Sequence, residues 1–221
     1  APALLRVGLA ASDEERVLDT LASNGRLFQS IARAACTAML MAAHGVSGSS
    51  MVTAMASNGV AFGIRLSGMG DAWFTAPAPT FAAESIDDAA PNTASDASPY
   101  AGDGAMVEAA GLGGVALAAA SAVVRAIGCS PDDAVRYSRQ MRHIALGTSQ
   151  AFTLPALSFV GTAAGIDARL VVDSGLAPVL AGEIVPRDGG ERIGIGLTRA
   201  PLACFAQAVS RLTDALREEA A

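Results

Sequence analysis

The sequence predicts an α+β fold, and three observations carry the prediction. A helical lead-in is followed by the strongest local signal in the chain, an Asn-Gly pair between two strand-like runs. Helix and strand patterns then alternate without the regular βαβ rhythm of a doubly wound sheet. Finally, a buried Ala/Gly-rich helix and a C-terminal amphipathic helix are available to pack a mixed or antiparallel sheet. The 221 residues suffice for one large domain or two small ones. They divide into a helical lead-in over 1–45 and an α+β domain over 46–221.

Each element has its own warrant. Ser12 with Glu15 forms a capping box, so a helix begins near Asp13 and stops at Asn24-Gly25. Leu27, Ile31, Ala34, Ala38 and Met41 recur at three or four residues and predict a second helix from about Arg26 to Ala43, ended by Gly45. Met51–Ser57 and Val60–Leu66 flank Asn58-Gly59, the preferred pair for a two-residue type I′ turn. On the second strand Val60, Phe62, Ile64 and Leu66 share the packing face, and Arg65 and Ser67 share the other. Ala72–Thr75 adds a strand, and Trp73 and Phe74 read as core. Polar Thr80–Gly104 reads as a long surface loop or lid. Ala105–Ile127 is the buried helix, and Gly111, Gly113 and Gly114 within it mark a close backbone approach, a helix start near Gly114, or a ligand. Ser130-Pro131-Asp132-Asp133 caps a helix through Leu146, closed by Gly147. Strands are expected at Phe152–Val160, Leu170–Val172 and Arg192–Thr198, and Pro201 opens the last helix, to about Glu218.

Composition narrows the chemistry. Hydrophobic residues make up 52%, charged residues 16%, and mean hydropathy is +0.41. Such a chain is not disordered and predicts a large flat surface held against another part of the chain, another copy or another protein, hence an oligomer. All 15 basic residues are Arg, which excludes Schiff-base and pyridoxal chemistry and the phosphate-loop lysine. Cys36, Cys129 and Cys204 share no CxxC spacing, and His44 and His143 have no ligand companions at short spacing, so neither a metal nor a cofactor is expected. Scattered thiols in Ala-rich surroundings suit a cytoplasmic compartment. A net charge of −6 without a basic stripe argues against nucleic acid. The most apolar stretch, Ala109–Val124, is shorter than the ~20 residues a membrane span needs. The chain opens with neither a secretory signal nor an initiator Met, so its start is trimmed or it is a piece of something longer.

Four Gly-rich polar clusters offer backbone N–H groups, hydroxyls and guanidinium forks, the donors a small oxyanion needs. They are Gly45–Ser50, Arg65–Asp71, Gly102–Gly104 with Glu108 and the following glycines, and Gly161–Arg169. Arg65 is either a solvated face residue or an anion clamp. Arg169 is either a second anion ligand or the ion-pair partner of Asp167. His44 reads as a helix-end cation. Glu108 is a helix-start carboxylate, and a general acid or base only if buried.

One nearly unbroken block, Gly48-Ser49-Ser50-Met51-Val52-Thr53-Ala54-Met55, Asn58-Gly59, Phe62-Gly63-Ile64-Arg65, Ser67-Gly68, Gly70-Asp71 and Trp73-Phe74-Thr75-Ala76-Pro77-Ala78-Pro79, resembles the YlbE/AllG-like family. Gly102-Asp103, Glu108, Gly111-Leu112-Gly113-Gly114, Pro155-Ala156-Leu157, Gly161-Thr162, Gly165-Ile166-Asp167 and Arg169 follow in the family's order. The chain departs from it at Gly104, where a Ser is usual, and at Thr37, where a Lys is usual. The resemblance implies a subunit of oxamate carbamoyltransferase, which moves a carbamoyl group between oxalurate and phosphate. It also implies that this is the C-terminal half of a chain about twice as long.

Carbamoyl transfer needs a held anion, a stabilised oxyanion and a protonated leaving nitrogen. Under that reading Arg65 takes the carboxylate or phosphate of a small anionic substrate. Ser49, Ser50, Asn58, Ser67, Arg169 and the backbones of Gly68, Gly70 and Thr162 bind the rest. Asp71, Glu108 or Asp167 orients an Arg or relays a proton. The expected partner is a second polypeptide or the N-terminal half. The competing readings are a non-catalytic assembly subunit that completes a partner's active site, and a small-amide hydrolase.

Overall fold

In the computed structural model, residues 11–24, 27–81 and 97–220 are described. The central feature is a four-stranded antiparallel sheet in the order β3-β2-β1-β4, built from β1 (Val52–Asn58), β2 (Ala61–Leu66), β3 (Phe74–Pro77) and β4 (Ala101–Gly102). Val52, Thr53, Ala54 and Met55 are buried in succession, so both faces of β1 are covered. Two further antiparallel pairs follow, β5 (Ala145–Leu154) with β6 (Val160–Ile166) and β7 (Val179–Ile184) with β8 (Gly194–Arg199). The helices are α1 (Ala11–Ser23), α2 (Leu27–Ala42), α3 (Ala105–Ala109), α4 (Ser121–Ala126), α5 (Pro131–Met141), α6 (Ala168–Ser174) and α7 (Leu202–Glu219). One apolar core joins Leu40 of α2, Met55, Phe62, Ile64 and Leu66 of the hairpin, Ile166 of β6, Leu180 of β7 and Phe205 of α7. The fold is therefore α+β as expected, with the hairpin and the C-terminal helix in place.

The hairpin turn differs in detail. Ser57 pairs with Phe62, which puts Gly59 and Val60 at the centre of the turn, one residue later than expected. Gly59 has φ +84°, and neither Asn58 nor Val60 has positive φ. A type I′ turn, which needs positive φ at both central residues, is thus excluded, and glycine takes the first central place, as in a type II′ turn. Asn58 instead holds the turn through Oδ1, which accepts from the N–H groups of Val60 (2.9 Å) and Ala61 (2.8 Å).

The expected buried helix over Ala105–Ile127 is broken into α3, a 3-10 segment (Gly113–Ala119) and α4. Close approach is the reason. A Cβ on Gly111 (φ +87°) would stand 1.8 Å from the Ala163 carbonyl oxygen, and one on Gly114 would stand 2.6 Å from that of Val179. Ser130 caps α5 as its sequence predicts, with Oγ accepting from the Asp133 N–H at 3.1 Å. That helix ends at Met141 and not Leu146, because Ala145 and Leu146 pair in β5. Leu170–Val172, expected as a strand, lies in α6, whose N-cap is the Asp167 carboxylate. Of the expected loop over Thr80–Gly104, residues 82–96 lie outside the described residues.

The second helix turns a different face inward. Cys36 and Leu40 are buried, whereas Ile31 and Met41 of the expected stripe are 58% and 46% exposed. Phe28 and Met39 join them outside, with Leu18 and Leu21 of α1 also exposed.

Candidate functional site

Folding brings nine of the twelve candidate residues to the open end of the β1–β2 hairpin. The chain leaves α2 at His44 and runs through Gly45–Ser50 into β1. The segment Arg65–Asp71 leaves β2 beside it, and the start of α6 closes the group. Backbone bonds knit these pieces: Ser67 N–H to the Met51 carbonyl (2.8 Å), Gly68 N–H to that of Ser49 (2.9 Å) and Ala168 N–H to that of Ser50 (3.0 Å). A Cβ on Gly68 would lie 2.6 Å from the Ser49 nitrogen, so glycine there is a requirement of the crossing.

At the centre is Arg65, whose side chain is 15% exposed. Its Nη2 donates to His44 Nε2 (3.1 Å), to the Asp71 carboxylate and weakly to the Gly70 carbonyl (3.5 Å). The guanidinium also lies 5.8 Å from the centre of the Trp73 ring. Trp73 is accordingly 47% exposed and not core, whereas Phe74 is buried. Arginine can only donate, so His44 Nε2 must accept, and the proton sits on Nδ1, which donates to Thr53 Oγ1 at 3.0 Å. The histidine read as a helix-end cation is in fact a neutral ring aligned on the arginine. Its place between a helix end and a Gly/Ser cluster was the available signal.

The second guanidinium is Arg169, which donates through Nη2 to Asp167 Oδ2 at 3.0 Å. Asp167 is 1% exposed and also accepts from Ser50 Oγ (2.7 Å) and the Arg169 N–H (2.8 Å). Burial pushes its carboxyl up, but the bonds from Arg169 and Ser50 outweigh that and hold it below the usual range. Several candidates are thereby committed to structure. Ser50 serves Asp167, and Ser67 Oγ donates to the Ala43 carbonyl (2.6 Å) and accepts from the Val46 N–H (3.2 Å). The exposed groups left are Asp71, at 95% side-chain exposure, and Arg169, at 61%.

Asn58, Glu108 and Thr162 stand apart. Asn58 is at the other end of the hairpin. Thr162 lies five residues along β6 from Asp167, about 16 Å at strand rise; it is buried, and its Oγ1 has no hydrogen-bond partner. Glu108 lines a cavity of about 570 Å³ together with Arg33, Tyr100, Gly102 and Arg192. Gly102 of that cavity pairs with Ser57, which lies four residues along β1 from Thr53, the partner of His44, a strand spacing of about 13 Å between Thr53 and Ser57. Glu108 is 2% exposed; Oε1 accepts from the N–H groups of Gly114 (3.0 Å) and Ala181 (3.1 Å), while Oε2 has no partner. Burial pushes its carboxyl up to about 7 against the pull of those two bonds.

Fold and site together define an α+β protein that presents two guanidinium–carboxylate pairs and a neutral histidine on an open, Gly-rich face. Residues 1–104 match the family described as oxamate carbamoyltransferase subunit AllG. The chain is 36% identical over 223 residues to the oxamate carbamoyltransferase subunit AllG of Escherichia coli K12, covering 98% of this chain and 51% of that protein. It is 37% identical over 214 residues to the uncharacterized protein YahG of the same organism, covering 94% and 44%. A crystal structure of a conserved protein of unknown function from Enterococcus faecalis V583 superposes with a TM-score of 0.87 at 33% identity, covering 96% of this chain and 51% of that one. The chain belongs to the AllG-like family, and it spans about half the length of the relatives it matches. Among the described residues no helix is long and apolar enough to cross a membrane, and no cluster of His, Cys, Asp or Glu could hold a metal ion.

Proposed function

We propose that this chain is part of a carbamoyltransferase subunit acting on a small carboxylate-amide, with phosphate as the other partner, and that the open end of the hairpin is its anion-holding face. The observation that carries the proposal is the Arg65–Asp71 pair. Arg65 is fixed by His44, Trp73 and Gly70, while the carboxylate that neutralises it stands almost wholly in solvent after Gly70. A substrate carboxylate or phosphate can take the place of Asp71 without disturbing the guanidinium. Membership of the AllG-like family supports oxalurate and phosphate as the reacting pair.

In the step, a phosphate oxygen attacks the carbamoyl carbon of oxalurate, the bond from that carbon to the oxamate nitrogen breaks, and the phosphate proton ends on that nitrogen. Atoms and charge balance with no added reactant. Arg65 and Arg169 hold the anions, Asp167 orients Arg169, Asp71 gives way to the anion on Arg65, and the Ser49–Ser50 and Gly68–Gly70 segments lie against the same face. His44 Nε2 accepts from Arg65 and so holds the guanidinium in place. Glu108 is engaged instead by the N–H groups of Gly114 and Ala181. The open face, with the exposed apolar side chains of α1 and α2, favours a site completed by another polypeptide.

The test is carbamoyl phosphate formation from oxalurate by the chain alone and with its partner subunits. Phosphate dependence is expected; oxalurate cleavage at equal rate without phosphate would make it an amide hydrolase. Arg65→Ala should lower kcat/KM by about 10–150-fold, the worth of a hydrogen bond to a charged group. An Arg65→Ala protein with unaltered fold and unaltered kcat/KM overturns the assignment.

A further inference from the structure

A second cavity of about 570 Å³ lies between the start of α5 and the β7–β8 pair, on none of the elements that form the anion-holding face. Five titratable side chains line it: Cys129, Asp133, Arg136, Tyr137 and Arg199. Their charges do not balance. Asp133 is taken by Arg136 at 2.7 Å and also accepts from Ser130 Oγ at 2.8 Å. Arg199 is partly buried, and among the described residues no carboxylate stands within ion-pair distance of it. Its Nη1 donates to the Ala177 carbonyl (2.8 Å) and its Nη2, more weakly, to Gln140 Oε1 (3.4 Å). Both guanidiniums also approach the Tyr137 ring, at 5.7 Å for Arg136 and 5.8 Å for Arg199.

A partly desolvated cation without a counter-ion is costly, and this one is held in place from behind by neutral acceptors. Burial accordingly pulls the Arg199 guanidinium below its usual range. Of the five N–H donors of the fork, two are spent on protein among the described residues. The remainder lie on a guanidinium in the wall of a cavity whose described lining carries one more positive charge than negative.

We propose that this cavity is a separate binding site for a small oxyanion, the carboxylate or phosphate group of a small molecule, with Arg199 as its main ligand and Arg136 as the second. It is independent of the transferase reading, since neither residue belongs to the anion-holding face.

Cys129 gives a local readout, because it is partly exposed in the cavity wall while Cys36 and Cys204 are buried. The rate at which a thiol reagent modifies Cys129 is measured with added phosphate, with added acetate, and with chloride at matched ionic strength. Phosphate or acetate should slow modification several-fold in the parent and in Arg65→Ala alike, and chloride should not. Protection by phosphate alone identifies a phosphoryl ligand; protection by both admits a carboxylate. In Arg199→Gln the protection should disappear. Absence of protection in the parent, equal protection in Arg199→Gln, or equal protection by chloride overturns the proposal. Loss in Arg65→Ala alone would overturn it too, while leaving the anion hold at the hairpin standing. Should Arg199→Gln fail to fold, exposed Arg136→Gln serves: weakened protection is expected, and unchanged protection counts against the site.

Discussion

Replacing Glu108 by glutamine isolates the energetic effect of one buried carboxyl. Burial pushes its pKa up to about 7, from the 4.5 usual for a glutamate. Between those values the folded state binds more protons than the unfolded state, so stability falls as pH rises from about 4.5 to about 7 and stays lower above that. That difference corresponds to about 3 kcal/mol. Glutamine keeps a carbonyl oxygen for the N–H groups of Gly114 and Ala181 and cannot ionise. Its amide nitrogen, placed where Oε2 has no partner, adds a penalty of about 1–3 kcal/mol that is the same at every pH. The measurement is urea unfolding of both proteins at pH 4.5 and pH 8. The parent should lose about 3 kcal/mol more than Glu108→Gln on going from acid to base, a difference of about 1–2 M in midpoint. Parallel losses in the two proteins would refute the reasoning, because the carboxyl would then ionise as easily folded as unfolded.

Three further outcomes follow from the packing. Gly111→Ala should destabilise by about 4 kcal/mol or more in urea unfolding, since its Cβ falls 1.8 Å from the Ala163 oxygen at a φ of +87°. Thr162→Val removes a buried hydroxyl that has no partner, so it should leave stability unchanged or raise it by up to about 1 kcal/mol; a loss larger than that would reveal a hydrogen bond to Oγ1. Asn58→Ala removes the acceptor of two turn N–H groups and should cost about 1 kcal/mol in thermal unfolding, with kcat/KM for carbamoyl transfer unchanged, because Asn58 sits at the far end of the hairpin.

Much of the fold was legible because its signals are local. Ser130 before Pro131 caps a helix by the geometry of a few neighbouring residues, and Pro201 opens α7 for the same reason. The α+β class followed from the order of such signals. Within the site, Arg65, Asp71, Ser49, Ser50, Ser67, Gly68, Gly70, Asp167 and Arg169 could be named because Gly-rich turns with hydroxyls and guanidiniums have a recognisable composition. Misplaced elements failed where local preference competes with a distant partner. Leu170–Val172 has β-branched character, yet Asp167 caps it as a helix because that carboxylate is already fixed by Ser50, 117 residues away in sequence. The apolar stripe of α2 faces outward because Cys36 and Leu40 meet the core, and periodicity identifies a stripe without saying what covers it.

By itself, then, the sequence determined the fold class, the position of the hairpin, the Ser130 cap and the family, all of which depend on residues close together in the chain or on unbroken motifs. Tertiary structure alone decided which candidates act together. It put His44 on Arg65, turned Ser50 and Ser67 into supports, and set Glu108 against the N–H groups of Gly114 and Ala181 in the wall of another cavity. Charge balance in a cavity and the burial that moves the Glu108 pKa are sums over neighbours from distant segments, and they exist only once those segments meet.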